Sequence, residues 1–232
     1  MPEAWKITLR ERKKAQTQFA ILDAVIALLA QKSLDKVTVE EICAAVQISK
    51  GTFFQYFPQK TDVLVLYGLL WNLEAMWLVS RSAKVVPGLA AIDYIFSRLA
   101  EKIENHPRLW MEVIAVRAYQ PHKFAQMGAA DKPRLSAAQR TIRFPEFDGI
   151  ESIPEGNFRQ LFLFNLKAAV QNGEIAGDTD LETVYMALSC IVYGVPLMTF
   201  EKKNVRLKSF FNRQLALLWR GIGARPRYDE EA

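Results

Sequence analysis

The segment from residue 38 to residue 60 constrains the fold more than any other part of this 232-residue chain. It reads TVEEICAAVQISKGTFFQYFPQK and predicts two short helices joined by a tight turn. Thr38 and Glu41 have the spacing of a capping box, which closes the start of the first helix. Ser49 is a suitable N-cap for the second helix, and Pro58 prevents that helix from continuing. This arrangement is typical of a helix-turn-helix that reads DNA.

The second of these helices opens with small and polar side chains. A cation, a glycine and a hydroxyl in its first turn allow a close approach to phosphates and base edges. Glutamine, one turn later, is able to pair with adenine through two hydrogen bonds. The predicted DNA contacts are Thr38 and Ser49 at the two caps, Lys50, Gly51, Thr52 and Gln55 in the major groove, and Tyr56 and Lys60 on the flanking backbone.

The run ICAAVQISKGTFFQYFPQK, preceded by FAILDAVIALLAQKSLDKVTVEE, resembles the amino-terminal domain of tetracycline-repressor (TetR) family transcriptional regulators. The resemblance covers about residues 10–70. Gln47 and Ser33 stand where that family commonly has glycine, so a left-handed backbone at either would cost roughly 1 kcal/mol. Phe54 stands where a tyrosine commonly donates a hydrogen bond to a phosphate. We expect that contact to be missing here or to come from a neighbour.

Charge and composition permit a polyanionic partner. The chain has a formal net charge of +5, and half of its residues are apolar, as in ordinary globular proteins. Basic residues concentrate before the helix-turn-helix, which suits phosphate contact, although the same residues also fit a solvated tail. They are Lys6, Arg10, Arg12, Lys13 and Lys14.

The rest of the chain predicts helices throughout, because no stretch alternates with period two. The fold class is all-α: an N-terminal three-helix helix-turn-helix domain and a larger C-terminal helical domain for ligand binding and dimerisation. We place the arm and DNA-binding domain at 1–61, the regulatory domain at 62–224 and a disordered tail at 225–232. The long apolar stretch 61–80 predicts a helix that is buried on several sides.

Two further features bear on the chemical class and compartment. The two histidines, His106 and His122, match no zinc or catalytic spacing, and phosphate-binding and nucleophile motifs are absent from the sequence. We expect neither an enzyme nor a metal or cofactor site. Cys43 and Cys190 lie in apolar helical patterns, which predicts buried thiols in a reducing cytoplasm. Glu182 and Pro196 argue against a membrane span in the second long apolar stretch, 181–200.

The TetR resemblance implies that the last long helices of two subunits pack together as a four-helix bundle. Small residues on the helix after residue 180 would let a neighbouring helix come close, although an ordinary intramolecular core would have the same pattern. The predicted interface residues are Phe162, Leu188, Ile191, Val192 and Val195.

The resemblance also implies a pocket for a small molecule in the regulatory domain. Aromatic residues crowd the segments that would line it, which favours an apolar or aromatic ligand but also fits a plain core. The candidates are Trp71, Asn72, Glu74, Trp77, Trp110, Arg117 and Asn165.

The sequence thus predicts a homodimeric repressor that a small ligand releases from a near-palindromic operator on double-stranded DNA. One alternative is a DNA-binding regulator that has no pocket and is controlled by a partner protein. The other is a helical enzyme or interaction module. Salt titration separates these classes, because each phosphate that a DNA reader neutralises steepens the log–log salt dependence by about 0.9.

Overall fold

A computed structural model of the protein describes residues 7–81, 85–125, 134–202 and 206–225. These residues form α-helices and two short 3₁₀ turns, with no strand among them, so the all-α prediction is confirmed. The α-helices are α1 (Leu9–Leu29), α2 (Val39–Val46), α3 (Lys50–Tyr56), α4 (Asp62–Arg81), α5 (Leu89–Asn105), α6 (Pro107–Tyr119), α7 (Pro121–Ala125), α8 (Ala137–Arg143), α9 (Phe158–Gln171), α10 (Leu181–Thr199) and α11 (Leu207–Gly221).

Contacts divide the chain into two compact units. The first consists of residues 1–77 and 112–156, and the second of residues 78–111 and 157–232. The helix-turn-helix therefore belongs to the same unit as residues 112–156, which lie much later in the sequence. The domain boundary predicted at residue 61 remains a prediction. Residues 1–6 of the predicted arm and 226–232 of the predicted tail lie outside the described residues.

The first unit is built around α1 and α4. Apolar residues recur at helical spacing on the inner face of α1. Among them Phe19, Leu22, Val25 and Leu29 are all buried. In α4 every residue from 69 to 75 is buried, so the middle of this helix is enclosed on all sides. Both α4 and α10 are long and apolar enough to cross a membrane by length and composition alone, but α4 is mostly buried within the protein.

The second unit has an aromatic core. The ring of Phe96 on α5 packs 5.7 Å from Phe162 on α9 and 5.1 Å from Phe211 on α11, measured between centroids. The buried carboxylate of Glu174 accepts a hydrogen bond from the backbone N–H of Leu89 at 2.8 Å and so closes the start of α5. These contacts bring α5, α9 and α11 together around one centre.

Helix α10 begins after Asp180, whose carboxylate accepts hydrogen bonds from the amides of both Glu182 and Thr183. One local prediction in the second unit is wrong. Cys190 is exposed, whereas Cys43 is buried as expected. The exposure of Cys190 shows that the described residues leave this face of α10 uncovered.

Candidate DNA-binding site

The start of α2 is closed by the predicted capping box. The Glu41 carboxylate accepts from the Thr38 amide at 2.9 Å, and the Thr38 hydroxyl accepts from the Glu41 amide at 3.2 Å. Lys32 also donates to Glu41, and its hydrogen bond, with those from Thr38, lowers the pKa of Glu41 to about 2. Thr38 is exposed, but its hydroxyl is committed to this cap, so the backbone amides of α2 are the groups left to meet a phosphate.

The turn between α2 and α3 uses a left-handed residue. Gln47 has φ 58° and ψ 46°, which is the conformation that glycine adopts without strain. The Ile48 amide then bonds to the Cys43 carbonyl at 3.0 Å and fixes the exit direction of the chain. Ser33 differs from Gln47, since its φ is −71°, and the strain expected there is absent.

Helix α3 presents its polar face outward. The Ser49 hydroxyl accepts from the Thr52 amide at 3.1 Å, which confirms Ser49 as the N-cap. Lys50, Gly51 and Gln55 are exposed. The opposite side carries Phe53, which is fully buried and holds α3 against the unit. The groove-facing residues predicted from sequence therefore lie together on one free surface.

Two aromatic side chains extend this surface. Phe54 is 48% exposed and makes an edge contact with the Phe53 ring, at 5.4 Å between centroids. Tyr56 is partly exposed at the end of α3. An apolar ring in the position of Phe54 has no hydroxyl for a phosphate, but it is suited to a thymine methyl group.

Lys50 forms an exposed ion pair with Glu40 on α2. The hydrogen bond from Lys50 lowers the pKa of Glu40. Exposed ion pairs contribute little to stability because water competes for both charges. Lys50 is therefore able to exchange this partner for a phosphate or a base at small cost.

A groove of about 660 Å³ runs between the start of α1 and the end of α3. Three cations of α1 line this groove together with residues of α3, so the basic segment predicted from sequence and α3 form one surface. The lining residues are Leu9, Arg10, Lys13, Lys14, Gln55 and Tyr56.

Lys60 lies elsewhere than predicted. Its ammonium group donates hydrogen bonds to the carbonyls of Leu34 at 2.5 Å, Asp35 at 3.1 Å and Val37 at 2.9 Å. These three bonds use all three N–H donors of a lysine. The structure assigns Lys60 to holding the turn before α2, which corrects its predicted contact with DNA.

A second lysine, which the sequence reasoning missed, holds the start of α4. Lys123 on α7 donates to the side chains of Gln59 and Thr61 at 2.9 Å each, and it pairs with Asp62. Glu112 on α6 makes a similar long-range contact, accepting from the Leu34 amide at 2.9 Å. No local sequence pattern predicts these contacts, because the partners lie 61 to 78 residues apart.

The predicted ligand residues fall in both units. Trp71, Asn72, Glu74, Trp77 and Arg117 belong to the first unit, and Trp110 and Asn165 belong to the second. Trp77 and Asn165 each make polar contacts with other parts of their own unit. The Trp77 ring stacks on Phe147 at 4.1 Å and donates to the Asp148 carbonyl, and Asn165 bonds to the Gly88 amide and the Leu161 carbonyl.

Trp110 has a different environment from these two. The side chain is 4% exposed and stacks on Tyr193 of α10 at 6.3 Å between centroids. Its indole N–H has no hydrogen-bond acceptor among the described residues. A buried donor of this kind is costly, since most buried polar groups are paired.

The predicted dimer residues divide according to burial. Phe162, Leu188 and Val192 are buried within one chain, so their assignment to an interface is wrong. Ile191 and Val195 are partly exposed. The large apolar side chains that α10 leaves exposed are Met186, Leu197 and Met198. Within the part of the chain that the structure describes, no group of three potential metal ligands occurs.

Comparisons with known proteins agree with this geometry. Residues 21–66 match the family described as bacterial regulatory proteins, tetR family. A relative from Escherichia coli K12, the probable acrEF/envCD operon repressor, is 24% identical over 200 residues, which is 81% of this chain and 79% of the relative.

Solved structures share the fold. Salmonella enterica GusR aligns with a TM-score of 0.62 at 19% identity, covering 94% of this chain and all of that one. FadR of Thermus thermophilus, a TetR-family repressor in complex with lauroyl-CoA, aligns with a TM-score of 0.58 at 20% identity. That alignment covers 93% of this chain and 100% of FadR.

Proposed function

We propose that this chain, a regulator of the tetR family, is a cytoplasmic homodimeric repressor that leaves its operator when a small apolar or aromatic ligand binds. The observation that carries the proposal is the composite surface of α3 and the basic start of α1. Both contribute to one groove, which is lined by Arg10, Lys13, Lys14, Gln55 and Tyr56. Cations beside an exposed polar helix supply both phosphate attraction and base readout.

The roles of the α3 residues follow from their exposure. Lys50, Gly51, Thr52 and Gln55 face the major groove, where Gln55 pairs with adenine. Phe54 contacts a thymine methyl group nearby. Tyr56 and the α1 cations contact phosphates on either side. Ser49 contributes through its cap, which points the free amides of α3 toward the DNA backbone.

The dimer is proposed to form through the uncovered faces of α10 and α11. Met186, Leu197 and Met198 on α10 and Leu217 on α11 are large, apolar and exposed. These two helices pack against each other, and exposed apolar side chains on neighbouring helices can form one interaction surface. A two-fold dimer would place two recognition helices about 34–36 Å apart, which requires a near-palindromic operator.

A ligand is proposed to bind near Trp110 in the second unit. The unsatisfied indole N–H there favours an apolar or aromatic molecule that carries a hydrogen-bond acceptor. Among the structural relatives, FadR from Thermus thermophilus and FadR from Bacillus subtilis bind acyl-CoA molecules. A ligand that binds one conformation more tightly would shift the dimer away from the spacing the operator needs.

The Gln55→Ala variant should lose sequence preference at one base pair. Removing the paired amide should cost about 1–3 kcal/mol of discrimination while binding to unrelated DNA stays nearly constant. Competition binding with single-base variants of the selected operator measures this. Gln171→Ala, at an exposed position of α9, is the matched control. If Gln55→Ala weakens every sequence equally, Gln55 does not read a base.

The Trp110→Phe variant tests the ligand site. We expect 2-acetylnaphthalene, an aromatic ketone, to bind about two- to tenfold more weakly to the variant, because one neutral hydrogen bond is lost. The hydrocarbon 2-ethylnaphthalene, which has no acceptor, should bind both proteins alike. Calorimetric titration measures both affinities. If Trp110→Phe binds both compounds more weakly by the same factor, the indole N–H does not contact the ligand. If the wild type binds neither compound, the proposal of an aromatic ligand is wrong.

A further inference from the structure

A second cleft lies in the first unit and contains none of the predicted ligand residues. Its volume is about 600 Å³, within the range of small-molecule sites. It opens between α1, the end of α3, α4 and the start of α8. The lining residues are Glu11, Lys14, Gln18, Tyr56, Phe57, Pro58, Asp62, Val65, Leu66, Leu69, Arg134, Leu135, Ser136 and Gln139.

The floor of the cleft is apolar. Phe57 directly follows α3, and Val65, Leu66 and Leu69 come from successive turns of α4. Val65 is partly exposed, while the other three are buried except for the surface that they turn to the cleft. This floor suits a flat hydrocarbon or aromatic body.

One wall of the cleft is fixed by hydrogen bonds. Gln139 on α8 donates to the Gln18 side chain on α1 at 3.1 Å. Gln139 also forms a capping box with Ser136, which closes the start of α8. The wall is therefore formed before any ligand arrives, and preformed walls reduce the entropic cost of binding.

The acidic side chains of the cleft are already engaged. Glu11 caps α1 by accepting from the amide and hydroxyl of Thr8 at 2.8 Å each, and these bonds lower its pKa. Asp62 accepts from the Gln59 amide at 2.8 Å and pairs with Lys123. The charge of Asp62 is therefore neutralised by Lys123, whereas Glu11 stays ionised and is held in the cap of α1.

Lys14 and Arg134 are the cations among the lining residues, and Lys14 is the one that faces α3. It lines both this cleft and the basic groove beside α3, and it forms no ion pair with another described residue. Tyr56 also lines both spaces. The cleft therefore joins an apolar floor to a positive rim next to the DNA-contacting surface.

We propose that this cleft binds a small amphipathic organic anion, with the apolar body on Phe57, Val65 and Leu66 and the anionic group on Lys14. A bound anion would pair with Lys14, which is also proposed to contact an operator phosphate. The anion would therefore weaken DNA binding by direct competition for this side chain. The site is distinct from the one proposed at Trp110. Only its effect on operator binding rests on the proposed function.

The binding test uses 2-naphthoate as the anionic probe and 2-naphthamide as its neutral match, on the full-length protein. Val65→Phe fills the cleft and should weaken 2-naphthoate at least tenfold, whereas Val65→Ala keeps the space and should retain binding. Lys14→Gln should weaken 2-naphthoate about three- to fivefold, the scale of one exposed ion pair, and leave 2-naphthamide unchanged. Calorimetric titration gives the affinities, and circular dichroism establishes that each variant is folded.

The outcomes separate this inference from the proposed function. Unchanged 2-naphthoate binding in folded Val65→Phe overturns the cleft assignment, and equal loss of both probes in Lys14→Gln overturns the role of the cation. In competition assays, 2-naphthoate should weaken operator binding by the wild type but not by Val65→Phe, each compared with its own unliganded affinity. If the wild type binds 2-naphthoate in the cleft but no operator, the proposed function fails and the ligand site stands.

Discussion

Replacing Arg140 with methionine should lower the free energy of unfolding by about 3 kcal/mol, because the change leaves a largely buried carboxylate without its cation. The guanidinium group pairs with Glu155 at 2.8 Å, and the two side chains are only 11% and 13% exposed. It also donates to the carbonyls of Leu135 at 3.2 Å and Ile153 at 2.5 Å. One side chain thus fastens both ends of the segment that packs against α1.

Urea unfolding of the variant and the wild type measures this loss, and hydrogen exchange shows whether residues 135–155 open first. The double variant Arg140→Met with Glu155→Met should recover part of the stability, since it removes the unpaired charge. Arg159→Met is the control, because Arg159 and Glu182 form an exposed ion pair worth at most about 1 kcal/mol. A similar loss in both arginine variants would contradict the role given to burial.

The helix-turn-helix could be predicted from sequence because its determinants are local. The Thr38–Glu41 capping box and the Ser49 cap each act over three residues, so the letters alone specify them. The left-handed turn is also local, and it falls at Gln47 as the family pattern implies. The same pattern misleads at Ser33, where the chain enters a 3₁₀ turn with an ordinary negative φ.

The exposed face of α10 could not be predicted because this helix is apolar almost all round. Leu188 and Met186 are both suitable for a core, yet one is fully buried and the other is exposed. Hydrophobicity without a polar face does not fix which side of a helix turns inward. Tertiary packing decides that question, and the sequence of the helix does not record it.

Long-range polar contacts also could not be predicted from the sequence. Lys60 and Lys123 have the same charge and lie near α4, but their partners are backbone carbonyls in one case and side chains in the other. A lysine on the surface of a DNA-binding head is a reasonable phosphate ligand when only the sequence is considered. Its real partners lie 23 to 26 residues away, a distance at which no helical or turn rule applies.

Replacing Lys60 with methionine should therefore lower the free energy of unfolding by about 2–3 kcal/mol, because the variant keeps the apolar stem but loses a charged donor. The three carbonyls that Lys60 satisfies belong to the turn that leads into α2, so the turn should loosen first. Urea unfolding gives the stability change. Hydrogen exchange in residues 34–46 shows where it arises.

The salt dependence of operator binding then distinguishes two roles for Lys60: stabilising the turn before α2, or contacting a DNA phosphate. Lys60→Met should leave the log–log slope unchanged, even if affinity falls through the loosened turn, because no phosphate charge is lost. Lys50→Met, at an exposed position of α3, should reduce the slope by about 0.9 with little change in stability. A lysine bound to three carbonyls has no N–H donor left for a phosphate. A reduced slope in Lys60→Met would therefore contradict this assignment and show that Lys60 contacts the DNA backbone.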